Sequence, residues 1–200
     1  PKCHRIYALN PDLLNVLPAD AEFLPYAHLD LEDWTPTYLP RERGTLRVGH
    51  APSNRQFKGT QYVIDAVQAL QAEGHDIHLD LVEGVSNREA RRRYEQVDVV
   101  VDQLLCGWYG GLAVEAMALG KPVVAYIRKD DLRFVPPGLG EELPIVQADK
   151  YSIKEALLNL LQLDSASYKQ LQLDSRAFVE TWHDPTNIAQ RILNAIDEAT

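Results

Sequence analysis

Two positively charged side chains stand three residues apart in a loop that follows a short apolar segment. Arg55 and Lys58 lie within residues 50–60, which begin with His50 and include Ser53. An Arg guanidinium can bind two phosphate oxygens at once, and a Lys ammonium supplies a point charge. The loop could therefore bind a diphosphate, with His50 and Ser53 beside it, although ordinary solvated cations would give the same pattern. It is not a P-loop, because it lacks the motif in which a Gly is followed, after any four residues, by Gly-Lys and then Ser or Thr.

A second candidate segment, residues 107–122, has glycines at the start of an apolar helix. Gly110 and Gly111 open the helix that we predict over residues 112–119, in which Glu115 is the only charged residue. The free backbone amides of a helix start attract anions, and glycines let a ligand approach them. Because a buried carboxylate needs a partner, we interpret Glu115 as a ligand for ribose hydroxyls beside a phosphate on the amides of Gly110 to Leu112. A structural ion pair with a nearby Arg or His is the alternative.

The neighbours of these segments allow weaker interpretations. Trp108 and Tyr109 could stack on a sugar or a base, but aromatic residues beside glycines are also common in protein cores. Cys106 has no His near it in the sequence, which favours an inert side chain over a nucleophile. Asp98 and Asp102 flank an apolar run without the clustering of a metal site, so we interpret them as strand-end residues.

The elements that must position these residues alternate between strands and helices. Continuous or alternating apolar patterns predict strands over residues 46–50, 77–82, 97–101 and 122–127. Helical spacing predicts helices after residues 60, 86 and 111, and three more over residues 152–163, 167–181 and 186–199. Short strands are expected over residues 6–9 and 22–26, within a proline-rich segment. Such alternation predicts an α/β fold with a Rossmann-like parallel sheet flanked by helices.

Composition excludes several classes of partner. The 200 residues are 46% hydrophobic, which is enough to form one sizeable core. The net charge of −9 disfavours binding to nucleic acid or to an anionic membrane. No apolar run reaches the roughly 18 residues of a membrane span. The two cysteines, Cys3 and Cys106, show neither a disulfide framework nor zinc spacing, so we expect a reduced, cytoplasmic setting. The chain opens on Pro1 without a signal peptide, and we expect it to be a fragment.

Several of these motifs resemble one enzyme family. The run from Glu115 to Val124, Glu-Ala-Met-Ala-Leu-Gly-Lys-Pro-Val-Val, is similar to a motif of the group-1, retaining glycosyltransferases with the GT-B fold. Lys58-Gly59 before an amphipathic helix resembles the phosphate-contacting Lys of that family. Residues 29–36 resemble the interdomain linker of that family. The position of Trp182 resembles the point at which the last helix of the family crosses back to the other half.

The resemblance implies a domain layout and a function. Residues 1–45 would be the linker and the end of a missing N-terminal half, residues 46–182 the nucleotide-sugar-binding domain, and residues 183–200 the crossover helix. The substrate would be a nucleoside diphosphate sugar such as a UDP-sugar, and no metal or other cofactor would be required. The acceptor, a glycan, a lipid or a small molecule, and any membrane contact would belong to the missing half. This fragment alone would bind nucleotide without turnover.

Site roles follow from the same resemblance. Glu115 would hold the ribose, Arg55 and Lys58 would neutralise the diphosphate as the catalytic cations, and the amides of residues 110–112 would bind phosphate or sugar. The sequence departs from the family at Gly107, where the family usually has a Glu that contacts the donor sugar. The segment formed by residues 81–97 is also shorter than the corresponding segment of the family.

Two alternatives remain from the sequence. One is a non-catalytic nucleotide-sugar-binding subunit, which the departure at Gly107 keeps open. The other is a receiver-like signalling domain, suggested by Asp102 after a buried strand and by Lys121-Pro122. In receivers, however, the Lys-Pro pair follows a strand, and here it precedes one.

Overall fold

The computed structural model describes residues 5–38, 40 and 44–197, and its strands form two parallel sheets. The strands are β1 (Tyr7–Ala8), β2 (Glu22–Phe23), β3 (Thr45–His50), β4 (Asp76–Leu81), β5 (Val99–Val101), β6 (Val123–Ala125) and β7 (Val146–Gln147). β1 pairs with β2, and the other five strands form one sheet in the order β4-β3-β5-β6-β7. Every pairing is parallel, which confirms the predicted α/β class.

Helices connect successive strands of the larger sheet and close the chain. They are α1 (Arg55–Lys58), α2 (Thr60–Ala72), α3 (Asn87–Gln96), α4 (Gly111–Ala118), α5 (Leu139–Glu142), α6 (Ile153–Gln162), α7 (Ser165–Trp182) and α8 (Pro185–Asp197). Short 3-10 helices span Pro11–Asn15 and Lys129–Phe134. The Ser86 side chain accepts a hydrogen bond from the backbone amide of Glu89 at 3.3 Å and so caps α3, the helix predicted to follow residue 86.

The central strands and α4 are buried because they are apolar on every side. The valines of β5 and β6 are fully buried, as strands covered on both faces must be. α4 and α7 pack together on one face of the sheet, and α2 and α6 on the other. Within the part of the chain that the structure describes, no helix combines the length and apolarity needed to cross a bilayer.

The proline-rich segment is more closely packed and less regular than its sequence suggests. β1 and β2 contain two residues each, shorter than predicted. The Asn10 side chain does not cap the first helical turn; its Oδ1 accepts a hydrogen bond from the Tyr26 hydroxyl at 2.8 Å instead. Phe23 and Leu29 are buried in the same core as α4. The division at residue 45 remains a prediction, and Cys3 and the end of the predicted helix 186–199 lie outside the described residues.

β7 and α5 were not predicted. β7 has only two residues, and α5 has four. Neither is long enough to show a periodic apolar pattern, so no pattern in the sequence indicates them.

Candidate functional site

Lys58 is directed to the start of α4 by the short helix that carries it. The Asn54 side chain accepts a hydrogen bond from the Phe57 amide at 2.8 Å and begins α1, and Gly59, with a left-handed φ of 77°, ends it. The Lys58 ammonium then reaches the carboxyl end of β5, where it donates to Asp102 Oδ1 at 2.8 Å and to Gln103 Oε1 at 2.6 Å. Its side chain is only 12% exposed, so the cation is held in one place.

Asp102 joins Lys58 to the backbone of α4. Its carboxylate is fully buried, and Oδ2 accepts a hydrogen bond from the Gly110 amide at 2.5 Å. A Cβ atom at Gly110 would lie 3.1 Å from the Lys58 ammonium and 3.3 Å from Asp102 Oδ2, so a larger residue would have to displace one of them slightly. Asp102 lies at the end of β5, as predicted, and it also pairs with Lys58 and the start of α4, which was not predicted. Its position at the end of a buried parallel strand, beside the Lys58 loop, was the available signal.

The first turn of α4 offers further backbone donors. The Ala113 amide donates to the Gly110 carbonyl at 3.1 Å. Among the hydrogen bonds of the described residues, none is formed by the amides of Gly111 and Leu112 with a protein acceptor. These two amides are therefore available to an anion, and their binding of one stays a prediction. The Gly110 amide, which was predicted to bind the same anion, donates to Asp102 instead.

Glu115 lies one turn into α4 and faces a cleft. Its side chain is 31% exposed rather than buried, and it lines a cleft of about 430 Å³. Its Oε1 lies 3.7 Å from Nε2 of His28, which is also close to the position that a Cβ of Gly111 would take. His28 was missed in the sequence because it lies in the irregular proline-rich segment. The other lining residues are Leu29, Trp34, Asn87, Arg88, Ala90, Arg91 and Tyr94.

The cleft beside Glu115 contains two arginines that sequence reasoning also missed. Arg88 and Arg91 belong to the polar face of α3, and Arg91 stacks over the Trp34 ring at 4.4 Å. Burial, with the carboxylates of Glu115 and Asp102 nearby, raises the pKa of the Tyr94 hydroxyl to about 12. Lys58 is not among the lining residues of this cleft.

Arg55 has a different partner from the one the diphosphate hypothesis requires. Its guanidinium donates to both carboxylate oxygens of Glu83, with Nε 2.8 Å from Oε1. Arg55 thereby holds the pKa of the Glu83 carboxyl below its ordinary value. The Arg55 side chain is 58% exposed and is not part of the Lys58 network. Its role in binding a donor stays a prediction.

Three residues that were assigned to the site lie in the core instead. His50 is fully buried, with Nδ1 2.7 Å from the Val101 carbonyl oxygen and Nε2 2.9 Å from the Thr60 hydroxyl. Both ring nitrogens are thus occupied, and burial lowers the pKa of this imidazole. Trp108 and Tyr109 are buried and stack on each other with ring centroids 4.5 Å apart. This placement corrects the interpretation of the three side chains as ligand contacts.

Gly107 and Ser53 differ in their surroundings. Gly107 is buried under the Arg128 side chain, and a Cβ at Gly107 would lie only 2.7 Å from Arg128 Cβ. No side chain fits there while Arg128 keeps this conformation. Ser53 is exposed in the loop between β3 and α1, and Leu112 is partly buried against the core.

The geometry does not favour the receiver-like alternative. Lys121 is buried and donates to the Glu95 carbonyl at 2.9 Å, at the start of β6. Asp102 follows β5, which runs parallel to β6, so the two residues lie at opposite ends of the sheet. Among the described residues, no group of three or more His, Cys, Asp or Glu side chains is placed to hold a metal ion.

Comparison with solved structures reveals the same fold in glycosyltransferases. No protein-family model matches the sequence, and no curated protein gives a significant match. Anabaena HepE, in complex with UDP-glucose, matches with a TM-score of 0.66 at 15% identity, over 98% of this chain and 64% of HepE. A mutant of S. aureus TarM, in complex with fondaparinux, alpha-GlcNAc-glycerol and UDP, gives 0.65 at 15% identity, over 96% of this chain and 43% of TarM.

An isolated domain matches as well. The C-terminal domain of LpcC, a group 1 family glycosyltransferase from Francisella tularensis, gives a TM-score of 0.50 at 19% identity, over 78% of this chain and 98% of that domain. The chain therefore spans about two fifths of TarM and just under two thirds of HepE, but nearly the whole of the isolated domain. This chain has the fold of the C-terminal half of the group-1 GT-B glycosyltransferases.

Proposed function

We propose that this chain binds a nucleoside diphosphate sugar and forms the donor half of a glycosyltransferase. The observation that carries the proposal is the arrangement around the first turn of α4. Lys58 approaches this turn from one side, the amides of Gly111 and Leu112 belong to it, and Glu115 faces a cleft one turn further on. A diphosphate at the helix start would leave the ribose within reach of a carboxylate on the same helix.

The chemistry is the stabilisation of a leaving group. When a glycosidic bond to a nucleoside diphosphate breaks, negative charge grows on the diphosphate. A fixed ammonium and fixed backbone amides stabilise that charge without having to reorganise. Transfer with retention of configuration, an acceptor held by another part of the protein and a cytoplasmic location belong to the proposal. The UDP and UDP-glucose bound in two structural neighbours make UDP the first nucleotide to test.

Calorimetry on the chain tests the proposal directly. UDP, ADP and GDP are titrated into the wild-type chain and into Glu115→Gln, with Glu155→Gln as a control that removes one exposed carboxylate from α6. We expect one nucleotide to bind the wild type and the control equally, and to bind Glu115→Gln more weakly. Failure of all three nucleotides to bind the wild-type chain would refute the proposal.

A second candidate function is a nucleotide-sugar-binding subunit without transferase activity. The observation that favours it is the Arg128 side chain, which covers Gly107 at the point where the resembling family carries a sugar-contacting Glu. Both functions predict nucleotide binding. They differ in the full-length protein, where only the transferase would consume the donor in the presence of an acceptor.

A further inference from the structure

A carboxylate of the chain itself lies where the cation and the helix start meet. The two oxygens of the buried Asp102 contact different groups: Oδ1 lies 2.8 Å from the Lys58 ammonium, and Oδ2 accepts the Gly110 amide at 2.5 Å. An ammonium and the start of a helix are the two groups that attract a phosphate. Asp102 therefore already occupies part of the electrostatic environment that the proposed function assigns to the donor.

The surrounding contacts fix this arrangement. Gln103 accepts a second hydrogen bond from Lys58 at 2.6 Å, and its own amide donates to the Trp108 carbonyl. A Cβ at Gly110 would lie 3.1 Å from the Lys58 ammonium and 3.3 Å from Asp102 Oδ2, so both groups pack closely against the backbone of this residue. The ammonium is thus held at the start of α4, while the carboxylate beside it compensates its charge.

We infer that Asp102 is a positioning residue that fixes Lys58 at the start of α4 and competes with the donor diphosphate for that ammonium. This inference rests on the proposed function. A carboxylate in contact with Lys58 repels a phosphate that is attracted to the same cation. Asp102 therefore weakens ground-state binding while it keeps the cation in position. If Asp102 were purely structural, removing its charge would only loosen the site and lower the affinity.

The test compares two neutral substitutions at opposite ends of β5. Asp102→Asn keeps an oxygen that can accept from the Gly110 amide and removes the charge. Asp98→Asn removes one charge at the other end of the strand, where Asp98 accepts the Arg47 amide at 2.7 Å. Each variant and the wild-type chain are titrated with inorganic pyrophosphate and with UDP, ADP and GDP, at low and at high salt.

We expect Asp102→Asn to bind pyrophosphate at least about fivefold more tightly than the wild type. In water, the repulsion between two like unit charges about 4 Å apart changes a binding affinity by about that factor. The gain should shrink in high salt. Asp98→Asn should bind like the wild type. Equal or weaker pyrophosphate binding by a folded Asp102→Asn chain overturns the inference.

The outcomes separate this inference from the proposed function. If Asp102→Asn gains pyrophosphate affinity but no nucleotide binds any variant, the competition stands and the nucleotide-sugar assignment is wrong. If nucleotides bind the wild type but Asp102→Asn gains nothing, the donor site stands and the competition is wrong. Should Asp102→Asn fail to fold by circular dichroism, Asp102→Ser, whose hydroxyl can also accept the Gly110 amide, takes its place with the same expectations.

Discussion

The hydroxyl of Tyr109 donates a hydrogen bond to Nε2 of His183 across 3.0 Å. Nδ1 of His183 lies 2.8 Å from the carbonyl oxygen of Tyr26, which can only accept, so in the neutral ring Nδ1 carries the proton. Both side chains are almost completely buried. This pair links the break before α8 to the loop before α4 and to the proline-rich segment. It also gives the hydroxyl of Tyr109, which is buried in the core next to the candidate site, a hydrogen-bond partner.

His183 should make the stability of the chain depend on pH. Burial lowers the pKa of His183 to about 4, whereas an unfolded histidine titrates near 6.5. Between these values the unfolded chain binds the additional proton, so the free energy of unfolding should fall as the pH drops from about 6.5 towards 4. The loss from this residue would be about 3 kcal/mol at most.

Denaturant unfolding at several pH values checks this expectation. We expect His183→Gln to have a flatter pH dependence between about pH 6.5 and pH 5.5, where few carboxylates titrate. Part of the slope should remain, because burial also lowers the pKa of His50. His78→Gln, at an exposed position of β4, is the control. An unaltered slope in His183→Gln would contradict the expectation.

The central strands of the sheet and α4 were predictable because nearly all of their residues are apolar. A continuous run such as Val97 to Val101 fits only a strand covered on both faces, and such strands alternate with helices in a parallel sheet. The approach of Lys58 to the start of α4 followed from the same logic, since loops after parallel strands meet at one edge. These inferences required only local patterns and one topological rule.

The partners of the polar residues were not predictable in this way. His28 contacts Glu115 although the two residues are far apart in the sequence, and the proline-rich segment gives no periodic signal to place it. Arg55 has the residue type of a phosphate ligand, yet in the structure it pairs with Glu83, which lies in the loop after β4. Pairings of this kind depend on side-chain directions in three dimensions, and residue type does not specify them.

Removal of the Lys58 ammonium should weaken nucleotide binding. Lys58→Met would lose a charge-assisted hydrogen bond to phosphate, which would weaken binding by about 1.5–3 kcal/mol. In the full-length protein the activation barrier for transfer should rise by a few kcal/mol, so turnover should be slower. The single change also leaves Asp102 buried without its cation. We therefore expect lower stability for Lys58→Met, and recovery in Lys58→Met/Asp102→Asn.

Calorimetry with UDP, together with thermal unfolding, measures both effects. The double variant should regain stability but not nucleotide affinity. Lys154→Met, which removes an exposed lysine paired with Glu73, should behave like the wild type. Wild-type UDP affinity and turnover in Lys58→Met would rule out a role for this cation in the donor site.

Glu115 should discriminate between ribose and deoxyribose. If its carboxylate accepts hydrogen bonds from the ribose hydroxyls, a nucleotide that lacks the 2′-hydroxyl should bind the wild type more weakly, by about 1.5–3 kcal/mol. Glu115→Gln should bind both nucleotides with similar, lower affinity. Competition binding of UDP and 2′-deoxy-UDP measures the difference. The same preference for ribose in wild type and Glu115→Gln would show that Glu115 contacts another part of the ligand.

A side chain at residue 107 should collide with Arg128 and destabilise the fold. A Cβ at residue 107 would lie 2.7 Å from Arg128 Cβ and 3.2 Å from its Nε, so Gly107→Ala forces Arg128 to move. Arg128 is also held by an ion pair with the buried Asp131 at 3.2 Å. We expect Gly107→Ala to lower the free energy of unfolding by about 1–3 kcal/mol, the usual cost of overpacking.

A double-mutant cycle identifies the cause of this cost. Arg128→Gly removes the Cβ atom that collides, so Gly107→Ala should cost less in that background than in the wild type. Arg128→Ala retains the Cβ and should give little relief, which makes it the matched control. Denaturant unfolding of the set measures the coupling. If Gly107→Ala cost the same in all three backgrounds, the glycine would be required for its backbone and not for the close approach of Arg128.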